Sequence, residues 1–275
     1  MTIPYPDASP GQVLCIDHKI HGQPIKERQA AFVHRFREGC DGVLVSAQQA
    51  FLPGIDNPLC IRGMKFQSGV QQCWESGRTF FYIDNGYFGN LRTKTWFRII
   101  KNHVHDIGPI IERARDRLDL CGIELKNFYP GKNILVAPPS VKSFALWGID
   151  QTQWINDTVA EIKKHTDRPV VIREKRPRAD RLKEDTMEEA LADDVHCLVT
   201  YNSVAACEAI MQGKPAITLG PNAAGVLSSQ SLSEIENPRI PTYDEREAWL
   251  RHLSYCQFTF TEMSDGTAWR ILNGQ

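Results

Sequence analysis

Short runs of consecutive apolar residues recur along the chain and alternate with segments whose apolar positions have helical spacing. The runs cover residues 13–16, 42–46 and 79–83 in the first half, and residues 133–137, 169–173, 197–200 and 216–219 in the second half. Continuous apolar runs of this length are typical of strands in a sheet that is covered on both faces. The pattern therefore predicts two series of buried parallel strands.

The segments between the runs read as helices. Ile25, Ala31, Phe32 and Phe36 repeat at helical spacing before Gly39 ends the segment, which predicts a βαβ unit with the first two strands. In the second half we predict helices at 151–166, 186–193 and 203–212, and Thr186 with Glu189 forms a capping box for the second of these.

Strands that alternate with helices predict an α/β protein, and the stretch PGKN at 130–133 separates the two series. We predict two doubly wound, Rossmann-like lobes with a cleft between them, residues 1–130 and residues 131–275. Ligands bind such sheets beyond the carboxyl ends of their strands, so the loops that follow the strands are the candidate sites.

Composition excludes several classes of protein. The chain has 275 residues, of which 42% are hydrophobic, so it can bury a core and is not disordered. Its formal net charge of -1 gives no global field for nucleic acid or membranes, and any polyanion contact must come from a local patch. The apolar runs are too short to span a membrane, and the N-terminus does not resemble an export signal.

The eight cysteines are scattered without a C-x-x-C pair, which argues against a zinc site and a disulfide framework. We predict reduced, mostly buried thiols in a cytoplasmic protein.

Three loops of the second series carry polar chemistry. Ser140 follows the first strand, and Arg173 and Lys175 begin a cluster of four cations after the second strand. The cation cluster suits a diphosphate, and a solvated charged loop is the alternative. For the loop with Ser140, the alternative to a ligand contact is an ordinary turn.

The loop after residue 200 reads TYNSVAACEAIMQGKP. Asn202 or Ser203 is positioned to cap a helix and to direct its free amides toward an anion. Glu208 is then the lone carboxylate of an apolar helix that ends at Gly213. A carboxylate at this place suits the two hydroxyls of a ribose, and an ordinary exposed glutamate is the alternative.

This motif resembles the carboxy-terminal lobe of GT-B glycosyltransferases, whose E-x(4)-G-x-P segment binds the nucleotide of a sugar donor. The segment VTYNSVAACEAIMQGKPAI is similar to that of bacterial capsule-polysaccharide transferases, and the resemblance covers about residues 133–225. It implies that Glu208 holds the ribose, that Ser203 faces a phosphate, and that Arg173 with Lys175 binds the diphosphate. Apart from the resemblance, Asn202 is a further donor-binding candidate, and Ser140 with its neighbouring amides is a candidate to face a phosphate, with an ordinary turn as the alternative for Ser140. The implied co-substrate is a nucleotide sugar, with a UDP-sugar as the first choice.

The chain length also resembles that of small bacteriophage glycosyltransferases, including DNA-modifying ones, although it shares no diagnostic motif with the phage DNA glucosyltransferases. Our first prediction for the acceptor is a hydroxymethylated pyrimidine in phage DNA, which would place the protein in the host cytoplasm. The alternatives are a bacterial glycan acceptor, a sugar-nucleotide epimerase and a nucleotide-binding protein without catalysis. Sequence leaves the oligomeric state open.

GT-B enzymes of this kind usually act without a metal, and the sequence has no D-x-D motif, so we predict no cofactor and no metal. An inverting transfer needs a base in the first lobe that takes the proton of the attacking hydroxyl. Asp17 and His18 follow the first strand and Asp84 follows the third, and Asp84 is our first choice. Each is alternatively a simple turn former or cap.

Cations and aromatic residues alternate in YFGNLRTKTWFRIIKNHVH after Asp84. Tyr87, Arg92, Arg98 and Lys101 are our candidates for contacts to a nucleic-acid acceptor, because cations neutralise phosphates and rings stack on bases. A strand or helix with a solvated basic face explains the pattern equally well.

Near the carboxyl end, Phe260, Met263, Trp269 and Leu272 predict an apolar stripe on one last helix that Gly266 weakens. In GT-B proteins such a helix commonly crosses back to the first lobe; packing on its own lobe is the alternative.

Overall fold

The computed structural model describes residues 3–17, 27–89, 95–173, 186–192 and 194–274. They form two compact units, Met1–Val104 with Ser254–Gln275 and His105–Leu253. The division after residue 130 into an acceptor lobe and a donor lobe is a functional assignment, and it stays a prediction.

The described strands and helices alternate along most of the chain. The strands are β1 Leu14–Ile16, β2 Val43–Val45, β3 Leu59–Arg62, β4 Phe80–Asn85, β5 Phe97–Lys101, β6 Asn133–Val136, β7 Val170–Ile172, β8 Val195–Thr200, β9 Ala216–Thr218 and β10 Gln257–Phe258. The helices are α1 Glu27–Gly39, α2 Ala47–Ala50, α3 Gln67–Ser76, α4 Asp116–Cys121, α5 Val141–Leu146, α6 Gln151–Ile162, α7 Met187–Ala192, α8 Ala205–Met211, α9 Tyr243–Ser254, α10 Phe260–Ser264 and α11 Thr267–Leu272.

The seven predicted strands are all present, within one or two residues of the predicted bounds. The pattern missed β3, β5 and β10. Strand β3 is a run of only three apolar residues, and β5 carries Arg98 and Lys101, so neither has the continuous apolar signal of its neighbours. The capping box of α7 is confirmed, since Thr186 and Glu189 exchange backbone-to-side-chain hydrogen bonds of 3.2 and 3.1 Å.

Each unit contains one sheet. In the first unit the strand order is β10-β5-β4-β3-β1-β2, with β1 to β4 parallel and β5 and β10 antiparallel to their neighbours. In the second unit the order is β7-β6-β8-β9 and all pairs are parallel. The prediction of an α/β fold with two Rossmann-like units is therefore confirmed.

The last two helices pack in the first unit against α1. The single helix that the sequence predicts is divided in two, because Gly266 has φ 83° and begins α11 in a left-handed conformation. The close approach also requires Gly39, where a Cβ atom would collide with the carbonyl oxygen of Met263. Phe32, Phe36 and Trp269 lie in this layer, with Phe36 and Trp269 ring centroids 6.1 Å apart.

All eight cysteines lie among the described residues, and six of them are buried, which agrees with the predicted burial of most thiols. In the parts of the chain that are described, no helix combines the length and the apolar character needed to cross a bilayer.

Gly213 ends α8 in the way that the sequence predicts. It has φ 74°, and the amide of Lys214 donates to the carbonyl of Ala209 at 2.9 Å. A Cβ atom at Gly213 would collide with the carbonyl oxygen of Asn127, so this position needs glycine for space as well as for backbone conformation.

Gly213→Ala should therefore destabilise the second unit more than Gly148→Ala does. Gly148 has a similar φ of 68°, but a Cβ atom added there would meet nothing within 4 Å, so it isolates the cost of the left-handed conformation. We expect the Gly213 variant to lose about 1–3 kcal/mol more free energy of unfolding, measured by urea denaturation. Equal losses in the two variants would contradict the steric explanation.

Candidate functional site

Both sheets have a topological switch point, where successive connections leave in opposite directions. In the second unit it lies between β6 and β8, because β7 and β9 lie on opposite sides of that pair. In the first unit it lies between β1 and β3, because β2 lies on one side and β4 on the other. Ligands of open α/β sheets bind at the carboxyl ends of the strands at such points.

One buried hydroxyl joins the two central strands of the second unit at their carboxyl ends. Thr200 is fully buried, and its Oγ1 donates to the carbonyl of Ala137 at 2.6 Å. The same oxygen accepts a hydrogen bond of 3.3 Å from the amide of Ser203. Thr200 thereby fixes the turn that carries Asn202 and Ser203.

Side chains from two other loops hold this turn. Ser143 of α5 donates through Oγ to Oδ1 of Asn202 at 3.1 Å, and Asn222 donates through Nδ2 to the carbonyl of Ser203 at 2.9 Å. The loops after β6, β8 and β9 thus form one hydrogen-bonded cluster. A site built on such a cluster is preorganised.

Asn202 has unused hydrogen-bonding capacity at the centre of the cluster. It is 2% exposed, and its Nδ2 has no hydrogen-bond partner among the described residues. An unpaired buried N–H costs about 1–3 kcal/mol, which a ligand oxygen or a water would recover.

The predicted helix cap needs correction. Helix α8 begins at Ala205, two residues later than predicted, with Val204 as the capping residue. Asn202 is bonded to Ser143 instead, and Oγ of Ser203 accepts from the amide of Ala205 at 3.3 Å. The helix starts late because the turn is held by its neighbours: the Asn202 side chain accepts from Ser143 and the Ser203 carbonyl accepts from Asn222.

Glu208 differs from all other residues of α8. Every residue of this helix except Glu208 is buried, and Glu208 is half-buried. Glu208 is therefore the residue of α8 that is partly exposed to solvent, and its contact with a ribose stays a prediction.

The remaining donor candidates have different environments. Ser140 is exposed and caps α5, where its Oγ accepts from the amide of Ser143 at 3.3 Å. Arg173 directly follows β7, two strands and roughly 10 Å from β8. Lys175 lies outside the described residues.

Asp17 follows β1 at the switch point of the first unit. It is 6% exposed, its amide donates to the carbonyl of Val45 at 2.9 Å, and its Oδ2 lies 3.0 Å from Nε2 of His34 on α1. The second candidate after β1, His18, lies outside the described residues.

Asp84, our first choice for the base, is held in an ion network within the sheet. Its Oδ1 lies 3.1 Å from Arg62 and its Oδ2 lies 3.7 Å from Arg98, and Tyr82 donates its hydroxyl to Oδ2 at 3.0 Å. Burial raises the pKa of this carboxyl, but Arg98, Arg62 and the hydrogen bonds more than offset that effect and lower the pKa to about 2. Such a carboxylate stays ionised and is a weak base.

The basic and aromatic residues after Asp84 are mostly internal. Tyr87 is 1% exposed and Arg98 is 5% exposed, with Arg98 donating to the carbonyls of Asn85 and Val104. Both predictions of direct acceptor contacts are corrected, because these groups are used inside the unit. Lys101 is exposed at the end of β5, and Arg92 lies outside the described residues.

Sequence reasoning missed four residues of these sites: Ser143, Asn222, Arg62 and His34. The first two lie on loops whose contact with Asn202 and Ser203 depends on the strand order. The third ends an unpredicted strand. The fourth, His34, gave no local signal, because its partner Asp17 is 17 residues away along the chain.

Two solved structures from Thermosulfurimonas dismutans resemble the chain. One is KpsC, beta Kdo 2,7 transferase, with a TM-score of 0.51, 13% identity and coverage of 95% of this chain and 99% of that one. The other is KpsC, beta Kdo 2,4 transferase, with a TM-score of 0.46, 12% identity and coverage of 89% and 91%. At these identities the first likeness shows a shared fold, and the second carries no argument.

No protein-family model matches the sequence, and no curated protein is similar to it at a significant level. The phage DNA-modifying type gains no support from the comparisons.

The network around Asp84 predicts an acid-dependent stability term. Its pKa of about 2 lies below the ordinary value of 3.8, so the stabilisation is complete above pH 4 and is lost as the pH falls through 2. A shift of this size corresponds to about 2 kcal/mol. Between pH 4 and pH 2, the free energy of unfolding of the parent should fall by about 2 kcal/mol more than that of Asp84→Asn, measured by urea denaturation. Parallel pH profiles would refute the ion network.

Proposed function

We propose that the chain is a glycosyltransferase that moves a sugar from a nucleotide-sugar donor to a hydroxyl. The observation that carries this proposal is the cluster at the second switch point, where Asn202 has an unpaired buried amide nitrogen and Glu208 is the accessible carboxylate of α8. The fold shared with the 2,7 transferase supports the same class of reaction.

In this proposal, the ribose and the phosphates of the donor contact different residues of the cluster. Glu208 accepts the hydroxyls of the ribose, and Asn202 with Ser203 and Ser140 donates to phosphate oxygens. Arg173 supplies positive charge at the carboxyl end of β7, where a diphosphate is within the reach of a long side chain. A UDP-sugar remains our first choice, and transfer without a metal remains a prediction.

A carbohydrate hydroxyl is the acceptor that we favour. The KpsC neighbour that shares the fold is named as a Kdo transferase, and two of the four candidate contacts for DNA, Tyr87 and Arg98, are buried. Acceptor binding and the base are assigned to the first unit.

Glu208→Ala tests the donor site directly. Loss of hydrogen bonds to a charged acceptor should weaken UDP binding by about 1–3 kcal/mol, measured by calorimetry. Glu161→Ala is the matched control, because Glu161 lies on α6 of the same unit and is paired with Lys164 and His165 on the surface. A folded Glu208 variant with the affinity of the parent would remove this residue from the site.

A further inference from the structure

The pair Asp17–His34 occupies the switch point of the first unit. Extending the β1–β3 register by two residues places Asp17 opposite Arg62, at the carboxyl ends of the two strands between which the connections diverge. Arg62 packs its guanidinium 4.3 Å from the ring centroid of Phe32, two residues before His34 on α1. Asp17 and Arg62 therefore take neighbouring positions at the carboxyl ends of these strands, with His34 paired to Asp17, at the place where such sheets bind ligands.

The pairing fixes the chemistry of the imidazole. A carboxylate oxygen accepts hydrogen bonds, so Nε2 of His34 carries an N–H that donates to Oδ2 of Asp17 at 3.0 Å. In the neutral ring, Nδ1 then has the lone pair, and it has no hydrogen-bond partner in the described part of the chain. A proton-accepting nitrogen is thus held in one tautomer by a carboxylate.

The pair combines a buried carboxylate with an imidazole that solvent can reach. The Asp17 side chain is 8% exposed and the His34 side chain is 37% exposed. Buried carboxylates that orient an accessible imidazole are a recurring feature of proton-transfer sites.

The alternative base in the same sheet is poorly suited. Asp84 is ion-paired with Arg62 and Arg98, and its pKa is about 2, so it has little tendency to take a proton near neutral pH. His34 is paired with a carboxylate instead of a cation, and this pairing leaves Nδ1 as the ring atom that faces a ligand's proton.

We propose that His34 is the general base of the transfer and that Asp17 is its positioning residue. The inference rests on the proposed glycosyltransferase function. The acceptor oxygen forms a bond to the anomeric carbon as the bond from that carbon to the donor phosphate oxygen breaks. The electron pair of the broken bond leaves with the nucleotide, and the acceptor proton passes to Nδ1 of His34 and then to solvent.

The experiment measures nucleotide release from a panel of nucleotide sugars that covers the common bases, with water as the minimal acceptor. His34→Ala should lower kcat by about 10²–10⁴ while the calorimetric Kd for the donor stays within about twofold of the parent. Added imidazole should restore part of the turnover of this variant, because the half-exposed site admits a small base.

Asp17→Asn should lower kcat by a smaller factor that imidazole does not restore, and the double variant should be no slower than His34→Ala alone. His165→Ala is the matched control, since His165 is also a partly exposed imidazole 3.0 Å from a carboxylate, that of Glu161. Its turnover should equal that of the parent.

A His34→Ala variant with the turnover of the parent overturns the inference, and so does a loss of turnover that imidazole fails to restore. Failure of the proposed glycosyltransferase function gives another result, because the parent protein would then neither bind nor consume any nucleotide sugar. That result would remove the assignment of His34 as well.

Discussion

The candidate donor site depends on one buried hydroxyl. Thr200 joins the carboxyl ends of β6 and β8 through Ala137 and holds the amide of Ser203, so the turn after β8 has one conformation. Ser143 and Asn222 can bond to that turn only because it is fixed. Without the Thr200 hydroxyl, buried backbone groups at the centre of the sheet would lose their partners, and each such loss costs about 1–3 kcal/mol.

The two switch points present different kinds of side-chain groups. The second unit presents amide and hydroxyl groups with the carboxylate of Glu208, a set that suits a neutral ribose joined to phosphates. The first unit presents Asp17 with His34, and a second candidate carboxylate, Asp84, is paired with Arg62 and Arg98. Our proposal places donor binding and proton transfer on separate sheets, each at the switch point of its strands.

Sequence periodicity predicted the parallel strands because strands buried on both faces are continuously apolar. It could not predict β5, whose Arg98 is buried by pairing with Asp84 on the adjacent strand. Within the site, Glu208 and Gly213 were predictable because both belong to one local motif. The pair of Asp17 and His34 was not, since helix packing on the sheet brings the two together across 17 residues.

Hydrogen exchange with and without UDP tests the central claim that the second switch point is the nucleotide site. Amide exchange of free and UDP-saturated protein can be compared by mass spectrometry, segment by segment. The account predicts slower exchange with UDP in residues 138–144, 200–208 and 219–225, because these three loops form the hydrogen-bonded cluster. Unchanged exchange in these loops at a UDP concentration that saturates the protein would contradict it.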